Sequence, residues 1–376
     1  FSSRRRHTRF RNVTGVQTCA LPIFRAIAAQ VIVLHHLSLY GPIAQSTRAL
    51  LPWLIDWLDD YGRIAVQVFL VIGGFLFMRS VRGRNAPDLR HLGAALARRW
   101  RRLFVPFYAA LALVLLAAVP GRAWLTGDWV PQQPDLLMLL VHLAGLHDYL
   151  GVEALSAGAW YVTMDLQLHA MTLALAWVAG CCAPGRELQQ RAFLALVAIA
   201  SALSLLWINR QPEWDFQPLY FFGSFALGMA ASGLSDGTSR DERRLAWLIL
   251  GLAVIALLID WRLRLAVSLA CAVVLIAGMR GAGTRFDNWI LSATPGVRPR
   301  LHRLVAFLAD TSYALFLAHF AVCVLVNAVF ARFVEQTPVM GALCFLAAWG
   351  LSLPVAAALS RLVEQPLAHS RSRSHG

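Results

Sequence analysis

Arg25 and His36 stand at the two ends of an apolar run, FRAIAAQVIVLHH, eleven residues apart. At about 100° per residue this is three turns plus roughly 20°, so a helix sets both side chains on one stripe, about 16 Å apart along its axis. One is a permanent cation and the other a titratable imidazole, and ionisable groups within a membrane helix mark function by default. Two more polar groups interrupt apolar runs: Asp165 in AWYVTMDLQLHAMTLALAW and His319 in ADTSYALFLAHFAVCVLV. Depths counted from the span ends place His36, Asp165 and His319 in the middle to outer half of the membrane, where they would converge. A carboxylate that orients an imidazole and holds its tautomer is what general acid–base chemistry requires. The structural alternative is a polar cluster that pins helices together. His35 points 100° away from His36 and reads as a packing or supporting residue. His169, four residues after Asp165, shares its face and can bond it.

The elements that must carry these groups follow from composition. The chain has 376 residues, 58% of them hydrophobic and 14% charged, with a mean hydropathy of +0.59. No soluble domain hides that much apolar surface, and several runs approach the length of a bilayer span. The expected fold is therefore an all-α integral membrane protein, a polytopic bundle of about ten transmembrane helices. Spans are expected at 24–40, 64–78, 103–120, 160–181, 192–208, 217–233, 245–260, 263–279, 304–330 and 338–362. The segment 135–150, broken by His142, His147 and Asp148, reads as a short re-entrant or outer-surface element. With that segment left uncrossed, the arginine clusters at 79–102, 186–191, 240–244, 280–303 and 361–373 share one side. The two sides then hold 21 and seven arginines, the N-terminal ones aside. The positive-inside rule makes the richer side cytoplasmic, with both termini there and the inner (cytoplasmic) membrane as the location. The net charge of +14 is thus a matter of topology, carried by arginines in short loops, and nucleic acid is not an expected partner. The cysteines show no metal-ligand spacing, and Cys181, Cys182, Cys271, Cys323 and Cys344 read as small buried side chains. No phosphate-binding loop, dinucleotide fingerprint, nucleophile elbow or metal motif occurs.

Residues 1–23, FSSRRRHTRFRNVTGVQTCALPI, are polar and aperiodic and read as a translated sequencing adapter, with a genuine basic tail as the alternative. That leaves a membrane domain over 24–367 and a cytoplasmic tail over 368–376. The segment 87–102 has Pro87 and Asp88 as a helix start and Leu89, Leu92 and Leu96 on one face, an interfacial amphipathic helix feeding the third span. Its block Arg98, Arg99, Arg101 and Arg102 would lie level with Arg25. The block suits either lipid headgroups or the phosphates of a nucleotide-bearing substrate.

Six short motifs in order resemble the acyltransferase-3 family of integral-membrane O-acyltransferases, over about residues 24–367. They are Arg25-x10-His36, Phe69-Leu-Val-Ile-Gly-Gly-Phe75, Arg101-Arg102-Leu-Phe-Val-Pro106-Phe and Trp160-Tyr-Val-Thr-Met-Asp165. Near the end stand Ser312-Tyr313-Ala-Leu-Phe-Leu-Ala-His319 and Ser360-Arg-Leu-Val-Glu364-Gln-Pro366. Gly73, Asp165 and Ser360 depart from the family's usual Ser, Glu and Tyr, and His169 stands where an aromatic is common. The resemblance implies transfer of an acyl group, most often acetyl, from cytoplasmic acyl-CoA to a hydroxyl of a carbohydrate or lipid acceptor at the cell surface. No tightly bound cofactor is implied, and the oligomeric state stays open. Arg25, Arg101 and Arg102 would hold the CoA phosphates, with His36 as base and Asp165 or His319 orienting it. A reading from another class remains: a permease or lipid transporter with Arg25, His36 and Asp165 as a substrate or proton path.

Overall fold

The computed structural model describes residues 20–127, 129–235, 238–279 and 298–369. The N-terminal segment up to residue 19, the 280–297 part of the arginine cluster at 280–303 and the tail from 370 lie outside them. Every long element is helical, and no strand occurs among the described residues. That suits a chain that has no water at depth to satisfy its backbone.

Helix α1 runs over Ala20–Leu39, so residues 20–23 are helical and continuous with the first span. Two short helices follow, α2 (Pro42–Leu50) and α3 (Pro52–Tyr61), each opened by proline where the missing N–H matters least. Next come α4 (Val66–Val81) and α5 (Leu89–Trp124). Asp88 caps α5 by accepting from the backbone N–H of His91 at 2.7 Å, a bond that holds its carboxyl below the usual range. The expected interfacial helix and third span form one unbroken 36-residue helix. Then follow α6 (Leu136–Ala144), α7 (Ala159–Cys182), α8 (Arg186–Leu206), α9 (Pro218–Gly233), α10 (Arg240–Ile259) and α11 (Leu263–Ala277). The last four are α12 (Arg298–Asp310), α13 (Ser312–Phe333), α14 (Pro338–Leu359) and, after a π-helical turn over Ser360–Glu364, α15 (Gln365–His369).

The protein is an all-α polytopic membrane protein with seven helices long and apolar enough to cross a bilayer among the described residues, against the ten expected. Helices stand at all ten expected places, but α9 and α11 have only 16 and 15 residues. Helix α10 opens on five charged residues, Arg240 to Arg244. The run 304–330 is two helices, broken at Thr311, where Thr311 Oγ1 donates to the Phe307 carbonyl and Ser312 Oγ to that of Ala309, both at 2.7 Å. Cys181 and Cys182 are exposed rather than buried, whereas Cys271 and Cys323 are buried as expected.

Two central helices organise the bundle. Helix α9, buried from Tyr220 to Gly233, packs against α4, α7, α8, α10 and α11. Helix α13 packs against α1, α5 and α14. Helix ends carrying three of the arginine clusters meet: Arg82 pairs with Glu242, Arg191 with Asp241, and Arg186 bonds the Gly83 carbonyl. Arg210 and Arg262 meet Asp260 at the opposite ends. Helix α6 is too short to cross, about 13 Å, and tucks its end beside α5: Tyr108 Oη donates to the Leu143 carbonyl at 2.5 Å. Gly145, at φ 71°, ends α6 beside Phe104 and Thr163, where a Cβ would lie 2.8 Å from the Phe104 ring. His142 donates from Nδ1 to Met138 and accepts the Leu155 N–H at Nε2, tying the 145–158 loop back onto α6. Burial keeps the His142 pKa below its ordinary value, as an accepting nitrogen requires.

The closest backbone approach lies between α4 and α9. A Cβ on Gly74 would sit 1.8 Å from the Phe225 carbonyl oxygen, and one on Gly228 would sit 1.8 Å from that of Val71. Contact with backbone cannot be relieved by a rotamer change. Gly74→Ala or Gly228→Ala is therefore expected to destabilise the bundle by about 3 kcal/mol or more, read as a lower melting temperature in detergent. An unchanged melting temperature would contradict the backbone contact.

Candidate functional site

The stripe from Arg25 to His36 faces α13 along its length. Arg25 donates from Nη2 to Ser312 Oγ at 3.1 Å, and His36 Nδ1 lies 2.8 Å from His319 Nε2. Ser312 and His319 are seven residues apart, two turns less about 20°, so they share one face of α13. The two pairs therefore set α1 and α13 side by side in one register. The Arg25 guanidinium reaches a level roughly 10 Å from His319 along α13.

The histidine rings lie nearly parallel, with centroids 4.9 Å apart and planes 12° apart. His36 is 9% exposed and His319 fully buried. Their tautomers follow from their partners. His319 Nδ1 lies 3.1 Å from the Leu315 carbonyl, an acceptor only, so that nitrogen carries the hydrogen. In the neutral ring Nε2 then holds a lone pair and accepts from His36 Nδ1–H. No side-chain hydrogen bond of His36 other than this one occurs among the described residues, which leaves its Nε2 open. An imidazole oriented through one nitrogen with the other open is arranged as a general base. His35 takes the supporting part expected of it: Nδ1 donates to the Leu58 carbonyl at 2.7 Å. Gly62 admits it closely, since a Cβ there would lie 2.6 Å from His35 Cβ.

Asp165 does not join the histidines. Its Oδ2 accepts from Arg99 Nε at 2.9 Å and Nη2 at 2.5 Å, a forked ion pair between α7 and α5. His169 donates from Nδ1 to the Asp165 backbone carbonyl at 2.8 Å and lies 3.7 Å from its carboxylate. The three groups expected to converge fall into two sets, His36 with His319 and Asp165 with Arg99. Between the ion pair and the histidines stands Tyr161, 5.2 Å from the Phe316 ring, which in turn lies 6.3 Å from His319. Arg101 and Arg102 are exposed on α5, two and three residues beyond Arg99. Tyr313 Oη donates to the Leu103 carbonyl at 2.7 Å.

Sequence reasoning missed Arg99 and Ser312. The signal for Arg99 was available: a carboxylate in an apolar run demands a cation, and Arg99 begins the span beside it. Gly73 lies against this pair, and a Cβ there would come within 3.9 Å of Asp165 Oδ1. No group of three His, Cys, Asp or Glu able to hold a metal comes together among the described residues.

A family model described as an acyltransferase domain, of the acyltransferase-3 type, matches residues 20–361. No curated protein and no solved structure matches.

Removing one partner of a buried ion pair strands the other charge. Asp165→Asn is expected to cost about 3 kcal/mol of stability, and Arg99→Gln on that background to restore part of it. Melting temperatures of the two single variants and the double variant in detergent test this. Additive losses would show that the two residues do not act as a pair.

Proposed function

Because the chain belongs to the acyltransferase-3 family and is a membrane acyltransferase, we propose that it moves an acyl group, by preference acetyl, from acyl-CoA to a hydroxyl of a cell-surface glycan or lipid. The observation that carries this reading is the open Nε2 of His36, held by His319 and set on one stripe with Arg25.

The acceptor hydroxyl gives its proton to His36 Nε2 as its oxygen attacks the thioester carbonyl. The bond to sulfur then breaks, and the proton passes to the departing thiolate, leaving an ester and free CoA. His319 is a positioning residue: its lone pair on Nε2 keeps the His36 hydrogen on Nδ1, so the base points the other way. Arg25, Arg101 and Arg102 supply cations for the donor's phosphates, Arg25 nearest the histidines. Asp165, engaged with Arg99, shapes the route between them. A dry cleft strengthens each of these contacts. The arginine-rich helix ends face the cytoplasm, where acyl-CoA is found, in a multi-pass protein of the inner membrane with both termini on that side. The bilayer and the acceptor are its remaining partners, and no tightly bound cofactor is required for the steps above.

His36→Ala in membranes supplied with labelled acetyl-CoA is expected to lower transfer at least about 100-fold. Undiminished transfer would overturn the assignment of His36 as base.

A further inference from the structure

A cavity of about 400 Å³ opens where the ends of α4, α5 and α8 meet the flank of α7, away from the histidine pair. Its floor is apolar, formed by Met78, Leu173, Ala176, Phe193 and Leu194. Around it stand four arginines, Arg82, Arg84, Arg98 and Arg186, against one carboxylate, Glu242. That carboxylate is already engaged, accepting from Arg82 Nε at 3.1 Å and from Gln190 Nε2 at 3.3 Å. Arg186 is held by the Gly83 carbonyl. Arg84 and Arg98 have neither an ion pair nor a hydrogen bond from their side chains among the described residues.

Two uncompensated guanidinium groups above an apolar floor fit a particular chemistry. Their forked donors match phosphate oxygens, and the floor accepts the apolar part of whatever carries the phosphate. The position adds to this. Helix α7 leads from Ala176 on the floor to Tyr161, about 22 Å, and from there Phe316 leads to His319. Arg98 adjoins Arg99, whose pair with Asp165 lies along that route. We propose that this cavity binds a phosphate-bearing amphiphile through Arg84 and Arg98. Two sources share that chemistry. One is the nucleotide end of acyl-CoA, an option that rests on the donor proposed above, with Arg84 and Arg98 adding to the phosphate-binding cations Arg25, Arg101 and Arg102. The other is the headgroup of an acidic phospholipid, which is independent of that donor.

The test uses the full chain in nanodiscs, with R84Q/R98Q compared to the unsubstituted protein. Calorimetry measures affinity for CoA and for 3′-dephospho-CoA, and melting temperature is followed with and without phosphatidylglycerol. A nucleotide source is supported if the double variant binds CoA at least about tenfold more weakly while its response to phosphatidylglycerol is kept. A lipid source is supported if CoA affinity is kept and stabilisation by phosphatidylglycerol is lost. If both readouts are unchanged, the proposal is overturned. An unsubstituted protein that bound no CoA would remove the acyl-CoA donor and leave the lipid arm to decide the cavity. Both arginines are exposed, and R84Q alone, expected to give a smaller loss in the same direction, keeps the test readable should the double variant misfold.

Discussion

The hydrogen bond between His36 and His319 joins helices whose bonded residues lie 283 positions apart in the chain. A polar group in an apolar slab must be satisfied from within the protein, because no water is at hand to do so. The bond therefore fixes the level at which α1 meets α13, and Arg25 on Ser312 fixes it a second time. Tyr313, on another face of the same helix, ties α13 to α5 through the Leu103 carbonyl. One short stretch, Ser312 to His319, thus positions three helices around His36. The contacts that orient the His36 ring are also contacts that hold the bundle in register.

Around this axis the buried carboxylates are paired. Asp165 is bound by Arg99, and Glu242 by Arg82. His142, locked between Met138 and Leu155, holds the inserted loop that carries the chain to the start of α7. A path of Arg, His and Asp would suit a permease as well as an enzyme, and buried charges alone do not separate the two. Membership of the acyltransferase-3 family does. On the proposed reading, the oriented imidazole is then the group that acts on a hydroxyl rather than a proton carrier.

Much of this was legible in the residues. The Arg25–His36 spacing implied one helical face, and both side chains do meet the same partner helix. The helical class and the supporting place of His35 followed from period, length and angle, and the refusal of 135–150 to cross from the distribution of arginines. The partner of Asp165 was legible only as a need for some cation, not as Arg99 in particular. Pairing across 66 residues leaves no local periodicity to read. The break at Thr311 had one cue, the polar Asp310-Thr311-Ser312 within the run, but the hydroxyl-to-carbonyl bonds that end one helix and begin the next leave no mark in a sequence. The shortfall in span count has a similar cause. Helix α9 is wrapped by its neighbours, so it needs neither the length nor the surface of a helix that faces lipid.

That His36 and His319 act as one unit, base and positioner, is tested most directly by a double-mutant cycle on kcat/KM for acetyl transfer, using His36→Ala, His319→Ala and both together. If the rings form one device, removing His319 from a protein that already lacks His36 changes the rate by less than about twofold. Losses that multiply across the two positions would show that each contributes separately, and the relay would be wrong.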